Sequence, residues 1–237
     1  MSVTVPRCAV PRSDLADTVM ERLTATYSAA ADPQRAAQAR AYMKDVAPFL
    51  GLPSPLRREL ARTVLAGLPH PDEADCTAIA LRSWALPERE YAYFAVDYLR
   101  RYGKHLSSGF LPVARHLVTA VSWWDTVDAL AAHVVGGLVA ADPELKAEMD
   151  AWIGDEDLWV ARTALLHQLR YKDATDTERL FTYCLRRSGH PDFFIRKAIG
   201  WCLREYAKTD PGAVRDFVER ERGCLAPLSA REALKHL

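Results

Sequence analysis

Trp124 and Asp128 stand four positions apart in the run Ser122-Trp123-Trp124-Asp125-Thr126-Val127-Asp128. On a helix this spacing puts an aromatic plate and a carboxylate on one face, a single turn apart. Such a pair can cradle a cation, because the indole presents a negative π-face beside a negative charge. The neighbours have plainer readings: Trp123 as the indole that turns into the core, and Asp125 as a helix cap.

The elements that position these residues read as helices. Ser13-Asp14 opens one through Leu15, Val19, Leu23 and Tyr27, and Asp32-Pro33 opens the next, over 34–48. Ser54 is expected to cap a third, with Pro55 at its first position. Further helices are predicted over 55–66, 72–84, 88–102, 107–119, 123–139, 143–152, 157–170, 175–188, 192–207, 211–221 and 229–236. Their boundaries carry Pro, Gly or Asp, as in Leu86-Pro87, Asp142-Pro143, Gly189-His190-Pro191 and Asp210-Pro211. No stretch alternates with period two, so no strand is expected.

Alanines at 61, 95, 129, 164, 198 and 233 recur in steps of 34, 34, 35, 34 and 35. A period in the mid-thirties built from paired helices is the mark of an α-solenoid, in which a small residue lets neighbouring helices approach closely. Counted from these alanines, Trp124 lies at −5, Asp128 at −1 and Trp201 at +3, on one stripe, with Arg162 at −2 on its flank. Stacking would bring the four onto one concave surface. Taken singly, Trp201 also reads as core and Arg162 as a salt bridge inside the array.

The expected architecture is therefore all-α: an α-solenoid of stacked helix pairs with a concave face. A loose tail over 1–12 precedes a single domain over 13–237.

Composition narrows the function classes. Lys plus Arg and Asp plus Glu each total 31, so attraction to a polyanion must come from how charge is distributed. Basic clusters fall at Arg57-Arg58, Arg100-Arg101 with Lys104-His105, Arg196-Lys197, Arg204 with Lys208, and Arg231 with Lys235; acids concentrate between Asp142 and Asp157. The five cysteines form no CxxC pair, which reads as reduced thiols in a cytoplasmic protein without a metal site. Met1 to Pro11 has no apolar core, so no signal peptide is expected, and the apolar run from Ala129 to Ala141 is too short to span a membrane. No HExxH, GxSxG, P-loop or GxGxxG motif occurs.

The tryptophan–tryptophan–aspartate block resembles the bacterial AlkD-type DNA alkylation repair glycosylases, HEAT-like repeat proteins, which implies a right-handed α-solenoid of about six HEAT-like helix pairs with a concave DNA-binding face. So do Trp159-Val160-Ala161-Arg162, the run from Lys197 through Trp201 to Thr209, and Ala226-Pro227-Leu228-Ser229-Ala230-Arg231-Glu232-Ala233. Ala41-Tyr42-Met43-Lys44 and Leu86-Pro87-Glu88-Arg89-Glu90 also fit, and the similarity runs from about residue 15 to the end. The resemblance implies a cofactor-independent monomer that excises cationic N3- and N7-alkylated purines from double-stranded DNA without drawing the base into a pocket. It implies a catalytic cleft of Asp128, Trp124 and Trp201, with Arg162 on the DNA backbone and Tyr42 near the duplex. Arg58, Lys197, Arg204 and Arg231 complete the candidate DNA-binding set. Two departures stand out: the loop Pro53 to Arg58 is less polar than the family pattern, and Ala230 occupies a position where a basic residue is usual. The competing readings are a non-catalytic HEAT-repeat scaffold and a relative that binds DNA without excising a base.

Overall fold

The structure, a computed structural model, describes residues 9–237. The expected tail therefore lies outside the described residues as far as position 8, and so does Cys8. The described residues are helical with no strand, and their Cα positions gather into two compact units that divide after Thr126.

The first unit holds α1 (Asp14–Ala29), α2 (Pro33–Tyr42), α3 (Ser54–Leu65), α4 (Glu73–Trp84), α5 (Arg89–Tyr102) and α6 (Leu111–Thr119). Ala16, Val19, Met20, Leu23 and Tyr27 make the buried stripe of α1, spaced at the three and four residues that one helix face requires. Its N-cap, Ser13, accepts from the Ala16 amide and also donates to Asp75, which belongs to the capping box that starts α4. The helices then pack two apart as well as in sequence, α1 on α3, α3 on α5 and α4 on α6, which is the stacking of an α-solenoid.

The second unit continues with α8 (Gly136–Ala141), α9 (Lys146–Trp152), α10 (Leu158–Leu166), α11 (Thr177–Arg186), α12 (Phe193–Tyr206), α13 (Pro211–Arg220) and α14 (Pro227–Ala233). Here α10 packs on α12 and α12 on α14, again two apart. Gly200 permits the second contact: a Cβ there would meet the Cβ of Glu232 at 2.5 Å. Four of the six periodic alanines (95, 164, 198 and 233) are fully buried. The division falls inside α7 (Trp124–Ala129), the helix that carries both Trp124 and Asp128.

Several expected boundaries move. The helix expected to reach 48 stops at Tyr42, because Lys44 and Asp45 both take left-handed backbone (φ 60° and 57°). Ser54 caps nothing with its side chain; Pro53 is the capping position, and α3 begins one residue earlier than expected. The helix expected over 157–170 ends at Leu166. The one expected over 123–139 is interrupted by a π-helical stretch, Leu130–Val135, that separates α7 from α8.

Candidate functional site

Asp128 opens the second unit, and its carboxylate is clamped by Arg162 from α10. Arg162 Nε donates to one oxygen at 2.7 Å and Nη2 to the other at 2.8 Å. Nη1 donates to the Phe194 carbonyl at the start of α12, and the Arg162 side chain also lies against the Phe194 ring. Arg162 is only 4% exposed, whereas the Asp128 side chain keeps 14% of its surface open to water. The fork geometry fixes the plane of the carboxylate as well as its position. This reassigns Arg162: the residue expected on the DNA backbone instead spends its donors inside the protein, holding the acid. Trp201, from α12, is half-buried in the same unit.

The first unit repeats the device three residues upstream. Arg89, at the start of α5, is 2% exposed and donates through Nη2 and Nε to the two oxygens of Asp125 at 2.6 and 3.0 Å. Nη1 donates to the Val121 carbonyl at 2.6 Å, and Nη2 also reaches the Thr126 hydroxyl at 2.8 Å. The Tyr93 hydroxyl donates to Asp125 at 2.5 Å. Burial, and then the Asp125 charge, push the Tyr93 phenol above the usual tyrosine range, so it remains a proton donor. Asp125 is thus not the helix cap its position suggested but the acceptor at the centre of a buried network.

Trp124 lies beside that network and is 37% exposed. With Tyr42, which is 74% exposed, and with Phe49, Pro53, Tyr93 and Arg35 it lines a cleft of about 560 Å³ in the first unit. Glu90 also lines this cleft and fastens the loop beside it. Its buried carboxylate accepts from three consecutive backbone amides, Leu50, Gly51 and Leu52, at 2.9, 2.8 and 3.1 Å. Gly51 is required there twice over: its φ is 84°, and a Cβ would meet the Asp32 carbonyl oxygen at 2.2 Å. Val121, just ahead of the tryptophans, also takes left-handed backbone (φ 51°). For a β-branched residue that conformation costs on the order of 1–3 kcal/mol.

The expected DNA-binding residues separate into two groups. Arg58 and Arg231 are exposed, as is Tyr42. Lys197 and Arg204 are both tied to Glu232, at 3.1 and 2.7 Å, and the two bases hold that carboxyl below the usual carboxylate range. The adjacent arginines 57 and 58 part company. Arg57 turns inward, 4.5 Å from the Tyr93 ring centre and 3.4 Å from Asp97, while Arg58 turns out to a groove between α3 and α5. That groove, about 350 Å³, is lined by Ala61, Leu65, Phe94 and Tyr98, by Arg58, Arg62, Arg100 and Arg101, and by Asp97, which is paired with Arg57. Sequence reading flagged the pairs at 57 and 100 but had no means of joining them across two helices, and it missed Arg62.

Among the described residues no helix is long and apolar enough to cross a membrane, and no three His, Cys, Asp or Glu side chains are grouped to hold a metal ion.

An all-helical chain stacked in this way is similar to a solved structure of a predicted DNA alkylation repair enzyme from Enterococcus faecalis. The two are 32% identical, the match covers 87% of this chain and 96% of that one, and the TM-score is 0.79. None of the curated proteins matches. Residues 23–237 match the family of DNA alkylation repair enzymes, and the chain belongs to that family.

Proposed function

We propose that the protein is a DNA glycosylase that hydrolyses the N-glycosidic bond of cationic N3- and N7-alkylated purines in duplex DNA. The observation that carries this reading is Asp128: a carboxylate aimed by a buried arginine, partly open to water, on the same short helix as the exposed indole of Trp124. Membership of an alkylation repair family supplies the substrate class.

The chemistry asks little of the enzyme. A cationic alkylpurine leaves as a neutral base, so no general acid is needed. As the bond breaks, positive charge develops on the deoxyribose, as in other glycosidic cleavages. A carboxylate whose orientation is already set stabilises that charge without reorganising, and it can orient the attacking water. In this reading Arg162 aims Asp128 and does not touch DNA, while Trp124 and Trp201 offer π-faces to the sugar and the cation, each worth about 1–2 kcal/mol once desolvated. Because the base need not enter a closed pocket, an open cleft suffices. The duplex is held by Tyr42, Arg58 and Arg231, to which the groove adds Arg62, Arg100 and Arg101.

The test is base release from a duplex containing N7-methylguanine. Wild type should release the base, and Asp128→Asn should bind the same duplex with unchanged affinity while excising roughly a hundredfold or more slowly, the scale of losing one preorganised electrostatic group. Equal excision by both proteins sinks the role of Asp128. Binding without release by wild type leaves a DNA-binding relative, and neither leaves a scaffold.

A further inference from the structure

We propose that Arg89 is a positioning residue for Trp124, and that with Glu90 it fastens, from one turn of α5, both the loop that lines the cleft and the segment that carries the indole. The proposal rests on the reading of Trp124 as part of the reactive site. The stretch Leu86 to Glu90 fits the family pattern, but nothing in the sequence assigns Arg89 a role.

Four fastenings converge on the chain that delivers Trp124. Trp84 Nε1 donates to the Ala120 carbonyl at 2.8 Å, and Arg89 Nη1 donates to the Val121 carbonyl at 2.6 Å. The Ser122 hydroxyl donates to the Val118 carbonyl at 2.7 Å. Arg89 then grips Asp125 and Thr126 on the far side of the indole. One guanidinium therefore holds the backbone three residues before Trp124 and the side chains one and two residues after it.

The segment it holds would not take this shape unaided. Val121 is 53% exposed, so its side chain gains little burial to offset a left-handed φ of 51°. Strain of this kind persists only where the surroundings over-determine it, and here the surroundings are Arg89 and Trp84. Stability alone does not account for the arrangement, since a buried ion pair replaced by apolar side chains of similar volume is commonly as stable. What Arg89 supplies is the direction from which the chain enters α7, and hence where the Trp124 indole stands.

The same turn of α5 also fastens the loop that lines the cleft. The Arg89 amide donates to the Pro48 carbonyl at 2.9 Å, and the Glu90 carboxylate takes the amides of 50–52. Phe49 and Pro53 line the cleft from that loop. Two adjacent residues of opposite charge thereby fasten both the loop and the segment that carries the indole.

Two variants and one rescue test this. Arg89→Met with Asp125→Leu removes the ion pair without stranding a buried charge, and Arg89→Lys keeps a charge for Asp125 but loses the fork that also reaches Val121. Each should bind alkylated duplex with wild-type Kd and show a single-turnover excision rate at least tenfold lower. Adding Val121→Gly, which takes a positive φ without steric penalty, should recover several-fold of that loss. Wild-type rates in both variants overturn the proposal, and so does a loss that Val121→Gly leaves untouched. Should the double variant fail to fold, Arg89→Lys decides alone. The indole N–H resonance of Trp124, assigned through Trp124→Phe, gives a readout independent of activity: it should move in Arg89→Lys and return toward its wild-type position with Val121→Gly. An unmoved resonance overturns the positioning role, whereas a wild type that releases no base overturns only the glycosylase reading.

Discussion

Asp125 and Asp128 are three residues apart, and each is gripped through Nε and Nη2 of a buried arginine whose Nη1 is spent on a backbone carbonyl. The two pairs differ in what surrounds the acid. In the first unit Asp125 accepts a further hydrogen bond from Tyr93, and 8% of its side chain remains exposed; in the second, Asp128 retains 14%. The first carboxylate is enclosed on all sides by groups that want its charge. The second is likewise gripped by a buried arginine, and a somewhat larger share of its side chain meets solvent. One motif thus serves two purposes: a buried arginine can use an acid to fasten a chain, or use its own fork to aim an acid. Both arginines are buried, so the difference lies in how much of the carboxylate reaches solvent.

Breaking each pair should have the largest effect on stability. Arg162→Ala and Arg89→Ala each leave a largely buried carboxylate without its partner, and each should lower unfolding free energy by about 3–5 kcal/mol, read by urea titration. A loss below about 1 kcal/mol in either would mean that its acid is better solvated than the geometry implies. The same experiment shows that Arg162 must not be tested by alanine alone when the question is DNA affinity.

Acid should separate the units next. Among the described residues the buried histidine is His167, in the second unit, where it contacts the Ala164 carbonyl at 2.7 Å through Nδ1. Burial pushes its pKa down from 6.5 to about 4. Between those values the unfolded chain binds a proton that the folded chain refuses, so stability falls as pH drops through that window, by about 3 kcal/mol in all. Above pH 6.5 the contribution is complete. Amide exchange should rise around α10 and α11 at pH 4.5 while α1 and α4 hold, and His167→Gln should flatten the difference. Uniform loss of protection across both units would count against this assignment.

The smallest effect concerns DNA. Arg62→Ala with Arg101→Ala should lower the slope of log affinity against log salt by nearly 2, at about 0.9 per phosphate contact, on duplexes of any sequence. Lys197→Ala with Arg204→Ala should change it less, because both bases already neutralise Glu232. Equal changes in the two double variants would erase the distinction between the groove bases and the tied ones.

How much of this the sequence disclosed follows from how local each feature is. Helix starts at Ser13, Asp32, Asp72 and Asp210 are legible because a cap is decided within three residues. The alanine period is legible because close helix packing leaves no room for a side chain at that position. For Arg162 the sequence offered two readings, a contact on the DNA backbone and a salt bridge inside the array, and could not name Asp128 as its partner. Whether an arginine 34 positions from an aspartate points at it or at solvent is settled by packing that no spacing rule contains. Arg89 and Asp125 stayed hidden for the same reason, and the cap reading of Asp125 was a local answer to what proved a long-range question. The termination of α2 was missed because left-handed backbone at Lys44 and Asp45 carries no glycine to announce it.

The π-helical stretch from Leu130 to Val135 lies directly after Asp128, and beyond it Gly136 is wedged so tightly that a Cβ would come within 2.2 Å of the His167 carbonyl oxygen. A stretch of this kind amounts to one surplus residue in a helix. Six residues wound at about 4.4 per turn sweep nearly the same angle as five wound at about 3.6, so deleting one of those six lets ordinary winding return with the aspartate still on its bearing relative to Gly136. Tightening the stretch without shortening it would instead swing Asp128 by about 100° around the axis. The looser winding therefore absorbs the extra residue, and a single deletion here should leave the acid facing as it does now, whereas a single deletion inside α10 should not.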